Sequence, residues 1–101
     1  MQTVPIIRIV KMTFHPEKVK DFLNMYEATN AKIRASKGCT HLELLNDIHQ
    51  PNVLFTYSLW DSENDLLNYR NSDFFASTWD KAKAMFAAEA EAWSLEGASK
   101  Q

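Results

Sequence analysis

The chain has little of the residues that punctuate or staple small domains: two glycines, three prolines and one cysteine in 101 residues. A single cysteine excludes an intramolecular disulfide and any multi-cysteine metal site, and Cys39, just after Gly38, reads as a small buried hydrophobe in a strand. Two glycines leave no Gly-rich loop to cradle a nucleotide's phosphates. Charge of one sign is also missing. Eleven basic side chains stand against thirteen acidic ones with no like-charge run, so no stripe exists to release counterions from nucleic acid, and nucleic acid is not an expected partner. The opening MQTVPIIRIVK carries Arg8 inside its apolar run and has no small-residue cleavage site, which argues against a signal peptide or membrane span and for a cytoplasmic protein. His15, His41 and His49 lack the paired spacing of zinc sites, and no serine sits in a nucleophile elbow, so neither a metal nor a serine nucleophile is expected.

What is present is a regular alternation of strand and helix patterns. At this length, residues 1–101 read as one domain, large enough for its own core and small enough to gain from a shared interface. Pro5 to Phe14 is dense in β-branched residues and predicts a strand. His15-Pro16-Glu17 opens a helix, since proline in the first turn has no amide to lose and glutamate suits the positive end of the dipole. Val19, Phe22, Leu23, Tyr26, Asn30 and Ile33 then share one face, and Ser36-Lys37-Gly38 ends the helix. From Lys37 to Trp60, two β-branched and aromatic segments flank a HQPN break, predicting an antiparallel hairpin whose register the break leaves open. Asp61 to Asp65 caps a short helix with Leu66, Leu67 and Tyr69 on its apolar side. Asn71-Ser72-Asp73 caps another, with Phe75, Trp79, Ala82 and Phe86 in one stripe. Glu89 to Glu96 has helix-favouring alanines and glutamates, but alternation around Trp93 and Leu95 favours a half-buried strand, and it is read as one.

The order β-α-β-β-α-α-β predicts an α+β ferredoxin-like sandwich in which helices cover one face of an antiparallel sheet. The strands carry apolar residues at both parities: Ile7 and Ile9 against Val10 and Met12, and Phe55, Tyr57 and Leu59 against Leu54 and Trp60. Neither sheet face therefore reads as solvated, and a homodimer with facing sheets is expected.

GCTHLELL after the first helix, Pro51-Asn52 in the turn, a strand ending in Trp60 before an acidic cap, SDFF at Ser72 to Phe75, and the closing EAEAW at Glu89 to Trp93 together resemble the antibiotic biosynthesis monooxygenase domains. The resemblance spans nearly the whole chain. It implies a dimeric α+β barrel with one pocket per chain between the sheet and the later helices. It also implies, for some members, oxidation of quinols or polycyclic phenols by dioxygen without metal or flavin, and for others haem degradation.

Cofactor-free oxidation needs a base, polar anchors and a dry aromatic wall, because a deprotonated electron-rich ring can itself reduce dioxygen. His41 and Glu43 alternate along one strand face and are the candidate bases. Tyr57, Trp60, Tyr69, Phe75 and Trp79 are the candidate wall, with Arg70 to balance a phenolate. Each has a plainer reading: a hydrogen-bonded pair or dimer-rim residues for His41 and Glu43, core packing for the aromatic stripe, and a solvated helix-end charge for Arg70. The haem-degrading relatives would ask for an asparagine on the first strand, a tryptophan on the second helix and a histidine on the third. Here the first strand has no asparagine, and Tyr69 and Trp79 stand at the other two places, leaving no evident axial ligand. The expectation is a cofactor-independent monooxygenase of a small aromatic phenol. Its alternative is a non-catalytic dimeric binding module of the same fold.

Overall fold

The computed structural model describes residues 4–99. Strand β1 runs Ile6–Thr13, where branched side chains suit extended backbone. A 3-10 turn at Pro16–Lys18 leads into α1, Val19–Arg34, with proline at the position where no amide is needed. Past α1 the chain reverses at Gly38, whose φ of 84° lies where a side chain is disfavoured, and the Cys39 amide donates to the Ser36 carbonyl at 3.0 Å.

Strands β2, Cys39–Asn46, and β3, Val53–Trp60, form the expected hairpin. Its turn is organised by Asp47, whose Oδ1 accepts from the amides of His49 and Gln50 at 2.8 and 3.0 Å. These bonds hold the Asp47 carboxyl below its ordinary pKa. Asn52 ties the turn to the end of β1, its side-chain amide donating to the Phe14 carbonyl at 2.9 Å. Helices α2, Glu63–Arg70, and α3, Asp73–Lys83, come next, capped by Ser62 and Ser72 hydroxyls that accept from the amides of Asp65 and Phe75. Strand β4 is Glu91–Leu95.

The strands form one antiparallel sheet in the order β2-β3-β1-β4, the ferredoxin-like arrangement that the element order predicts. Val10, Met12, Leu44 and Leu54 point to the helix side, where Phe14, Phe22 and Ala82 complete one buried cluster. Ile6, Cys39, Trp60 and Leu66 form a second. The core is thus divided, and its two parts do not close against each other.

Three packing expectations change. Leu23 and Leu67 are exposed at 42% and 43%, because each lies to one side of the stripe its helix presents to the sheet. Phe86 lies beyond α3, which ends at Lys83, and forms an isolated bridge with Phe14. Its ring still meets those of Phe14 and Trp79, so the stripe is continued by the connecting segment. Among the described residues, no helix is long and apolar enough to cross a membrane.

Candidate functional site

The two core clusters leave a cavity of about 230 Å³ between the helix side of the sheet and the three helices. Its floor comes from alternate positions of the strands, Arg8, Val10 and Met12 of β1 with Thr56, Ser58 and Trp60 of β3, because period-two alternation sends these side chains to one side. Its walls come from Phe22 and Tyr26 of α1, Tyr69 and Arg70 of α2, and Phe75 and Trp79 of α3.

Aromatic rings in mutual contact form one of its walls. Trp60 stacks on Tyr69 at 5.0 Å between centroids, Tyr69 meets Phe75 edge-on at 5.2 Å, and Phe75 stacks on Trp79 at 5.8 Å. From Trp79 the contacts run behind the lining through Phe86 and Phe14 and return to it at Phe22 and Tyr26. Trp60 is fixed at its polar edge as well, its indole N–H donating to the buried Ser58 hydroxyl at 3.0 Å. Such rings offer flat apolar faces with a few polar tips, which suits a planar aromatic guest.

Electrostatics mark one end. Burial pushes the Tyr69 hydroxyl up to about 12, with the nearby Cys39 thiol adding to the effect, so it is a neutral donor at physiological pH and not a base. Burial also lowers the Arg8 guanidinium, and the positive charge of Arg70 lowers it further. Arg8 donates to the Ser94 hydroxyl at 2.9 Å. Among the described residues, neither arginine has a carboxylate partner. Among the described residues, the lining contains no histidine, aspartate or glutamate.

Of the residues expected from sequence, the structure brings Trp60, Tyr69, Arg70, Phe75 and Trp79 together here. His41, Glu43 and Tyr57 stand on the other side of the sheet. The reason is the hairpin register: Leu42 lies opposite Ser58 and Glu43 opposite Tyr57, after an irregularity between Cys39 and His41. His41 therefore shares a face with Tyr57, whose ring it meets edge-on at 5.9 Å, and not with Trp60. His41 Nε2 lies 2.5 Å from Glu43 Oε1, both side chains partly exposed. Within one chain this pair does not reach the cavity.

Sequence reasoning missed Arg8, Tyr26 and Ser58 as lining residues. Arg8 had a usable signal, since it is a cation at the same parity as Val10 and Met12, whereas Lys11, the other cation of the strand, takes the opposite parity.

The fold recurs in solved structures. The chain is similar to a conserved protein from Methanosarcina mazei, with a TM-score of 0.88, 21% identity and 93% of each chain covered. It is also similar to a protein from Nitrosomonas europaea provisionally named an antibiotic biosynthesis monooxygenase, with a TM-score of 0.87, 13% identity and 97% and 94% of the two chains covered. A Caulobacter crescentus protein with the same provisional name gives 0.88 at 17% identity, covering 96% and 92%. At these identities the likeness speaks to the fold alone. A Haloarcula marismortui protein with a provisional heme-binding name is 28% identical over 75 residues, 74% of this chain, and the match spans only 11% of that relative's length. The family model for antibiotic biosynthesis monooxygenase matches residues 5–87, most of the chain. By that match, across the β1-to-Phe86 unit that builds most of the cavity, the chain belongs to the antibiotic biosynthesis monooxygenase family.

Proposed function

We propose that the cavity binds a planar quinol-like or polycyclic phenolic molecule and that the protein oxidises it with dioxygen, using no metal, flavin or haem. The observation that carries this reading is the aromatic wall of Trp60, Tyr69, Phe75 and Trp79 along a cavity with a cationic end. An ionised phenol or anthrone transfers an electron to dioxygen, the resulting radicals combine, and loss of water from the peroxide leaves a new carbonyl. The protein's task is to hold the ring in a dry place and favour its anion. With no carboxylate or imidazole in the described lining, that anion is favoured by Arg8 and Arg70, and its proton leaves to water beside the exposed Arg70.

The outer sheet face, with Ile7, Ile9, Phe55, Tyr57 and Leu59 partly exposed and Leu45, Trp93 and Leu95 exposed at 41–44%, supports a homodimer through facing sheets. In that assembly His41 and Glu43 are interface residues. Haem suits the cavity poorly. The described lining has neither histidine nor cysteine, and a tetrapyrrole exceeds a space of about 230 Å³.

The same lack of a base favours a second reading, a dimeric binding module that recognises an aromatic ligand without turning it over. Oxygen consumption measured with a panel of reduced quinols and anthrones, beside calorimetric binding of the same compounds, separates the two. Uptake above the uncatalysed rate supports the oxygenase. Binding without uptake makes the module the better description.

A further inference from the structure

We propose that Arg8 and Arg70 form a two-guanidinium site for a carboxylate, so that the natural ligand is an aromatic acid whose ring lies along the Trp60–Trp79 wall. This rests on the reading of the cavity as an aromatic-ligand site and adds the ligand's second chemical feature: of the two positive charges, a carboxylate neutralises one, and the other is left to favour the ionised ring. Three independent observations meet here. Both arginines line the same cavity, Arg8 from the middle of β1 and Arg70 from the end of α2. Neither has a carboxylate partner among the described residues, although three lysine–carboxylate pairs occur elsewhere among them. Arg8 stands in the helix-facing row with Val10 and Met12, opposite Ser58 and Ser94.

A cation in such a row costs desolvation energy, and like charge nearby adds to that cost. For Arg8 both effects act in the same direction, burial first and Arg70 second. A protein that needed only packing would be better served by leucine or methionine at position 8. An anion between the guanidiniums removes the repulsion and satisfies their donors. The geometry of the donors selects the kind of anion. Guanidinium is a planar fork that pairs with two oxygens at once, and two forks suit a carboxylate's two oxygens better than the single oxygen of a phenolate. The Arg8 fork is already oriented, because one nitrogen donates to the Ser94 hydroxyl at 2.9 Å. Tyr69 adds a neutral hydroxyl from the adjoining position on α2.

The cavity volume of about 230 Å³ accommodates a two-ring system, so the probe is 2-naphthoate, ionised at neutral pH, compared with 2-naphthamide, which has the same shape without the charge. Calorimetric titration of the wild type should show the carboxylate binding at least about tenfold tighter than the amide, with a preference that shrinks as salt is raised. Arg8→Gln and Arg70→Gln should each remove most of that preference, lowering the affinity for the acid well beyond any change in that for the amide. Arg70 is exposed at a helix end, so its variant folds even if Arg8→Gln is destabilised, and circular dichroism checks both. Equal binding of acid and amide by the wild type would overturn the carboxylate site and leave the aromatic cavity standing. A preference that survives in the folded Arg70→Gln and Arg8→Gln proteins would overturn the assignment to these arginines. Failure of both probes to bind at millimolar concentration would overturn the cavity reading itself, and this inference with it.

Discussion

Trp60 and Tyr69 stack with ring centroids 5.0 Å apart and planes 29° from parallel, which ties the last residue of β3 to the last turn of α2. The contact holds α2 against the sheet and makes the Tyr69 ring part of the cavity wall.

Burying the Tyr69 hydroxyl gives a pH signature. Its folded pKa of about 12 lies above the ordinary tyrosine value of 10.0, so between those values the folded protein keeps a proton that the unfolded chain releases. The associated stability is fully present below pH 10 and is lost as pH rises through about 12. Near-ultraviolet tyrosinate absorbance of the folded protein should show late titration, part of it from Tyr26, which burial also raises, and Tyr69→Phe should remove one late-titrating group. If every tyrosine of the folded protein titrates together near pH 10, Tyr69 is not buried as described.

Gly38→Ala should destabilise the fold by roughly 1 to 3 kcal/mol, the sum of positive-φ strain and a steric clash. At a φ of 84°, an added Cβ would run into the Asp65 side chain, its Cβ as well as its carboxylate. Chemical denaturation of Gly38→Ala, Asp65→Gly and the double variant checks it. The cost of Gly38→Ala should fall to about 1 kcal/mol when Asp65 is already glycine. An unchanged cost in both backgrounds would mean that Asp65 does not crowd this turn.

Sedimentation should show a dimer at micromolar concentration, and Leu59→Glu should yield a folded monomer, since Leu59 lies beside Ile7 and His41 on the outer face. A wild-type monomer that stays monomeric as concentration rises is the contrary result.

Trp79→Ala should weaken aromatic-ligand binding as well as stability, with a stability loss at or below the roughly 3 to 5 kcal/mol of a fully buried tryptophan. Trp79 is only partly buried and stacks on Phe75 at 5.8 Å. The milder Trp79→Phe is the sharper test, because a ligand that stacks there should bind several-fold less tightly. Unchanged affinity for every quinol, polycyclic phenol and naphthoate that binds the wild type would make Trp79 packing alone.

If the wild type consumes oxygen, His41→Ala and Glu43→Gln should retain that activity wherever the dimer is preserved, because the pair faces away from its own chain's cavity. A loss of about 100-fold or more in a folded, dimeric variant would identify a base on this face.

The element order is legible in the sequence because it depends on local chemistry. Pro16 at the entry to α1, Ser62 and Ser72 at the next two helix starts, and β-branched runs in β1 and β3 each act over a few residues. Helix spacing likewise places Phe75 and Trp79 on one stripe, and both line the cavity. Leu23 and Leu67 depart from their stripes for the complementary reason: periodicity shows which residues share a face, but the angle at which a helix meets the sheet decides which edge of that face is covered.

By itself the sequence determined the ferredoxin-like succession of strands and helices, the family, and an aromatic supply sufficient for a cavity wall. Only the tertiary structure decided which polar residues reach that wall. Side-chain direction alternates at every strand position, so the sides taken by His41 and Glu43 depended on the Asp47 turn and the irregularity before His41, which set the pairing of β2 with β3. The same pairing logic turned Arg8 inward beside Ser58 and Ser94, and the later packing of α2 brought Arg70 to it from 62 positions further along the chain.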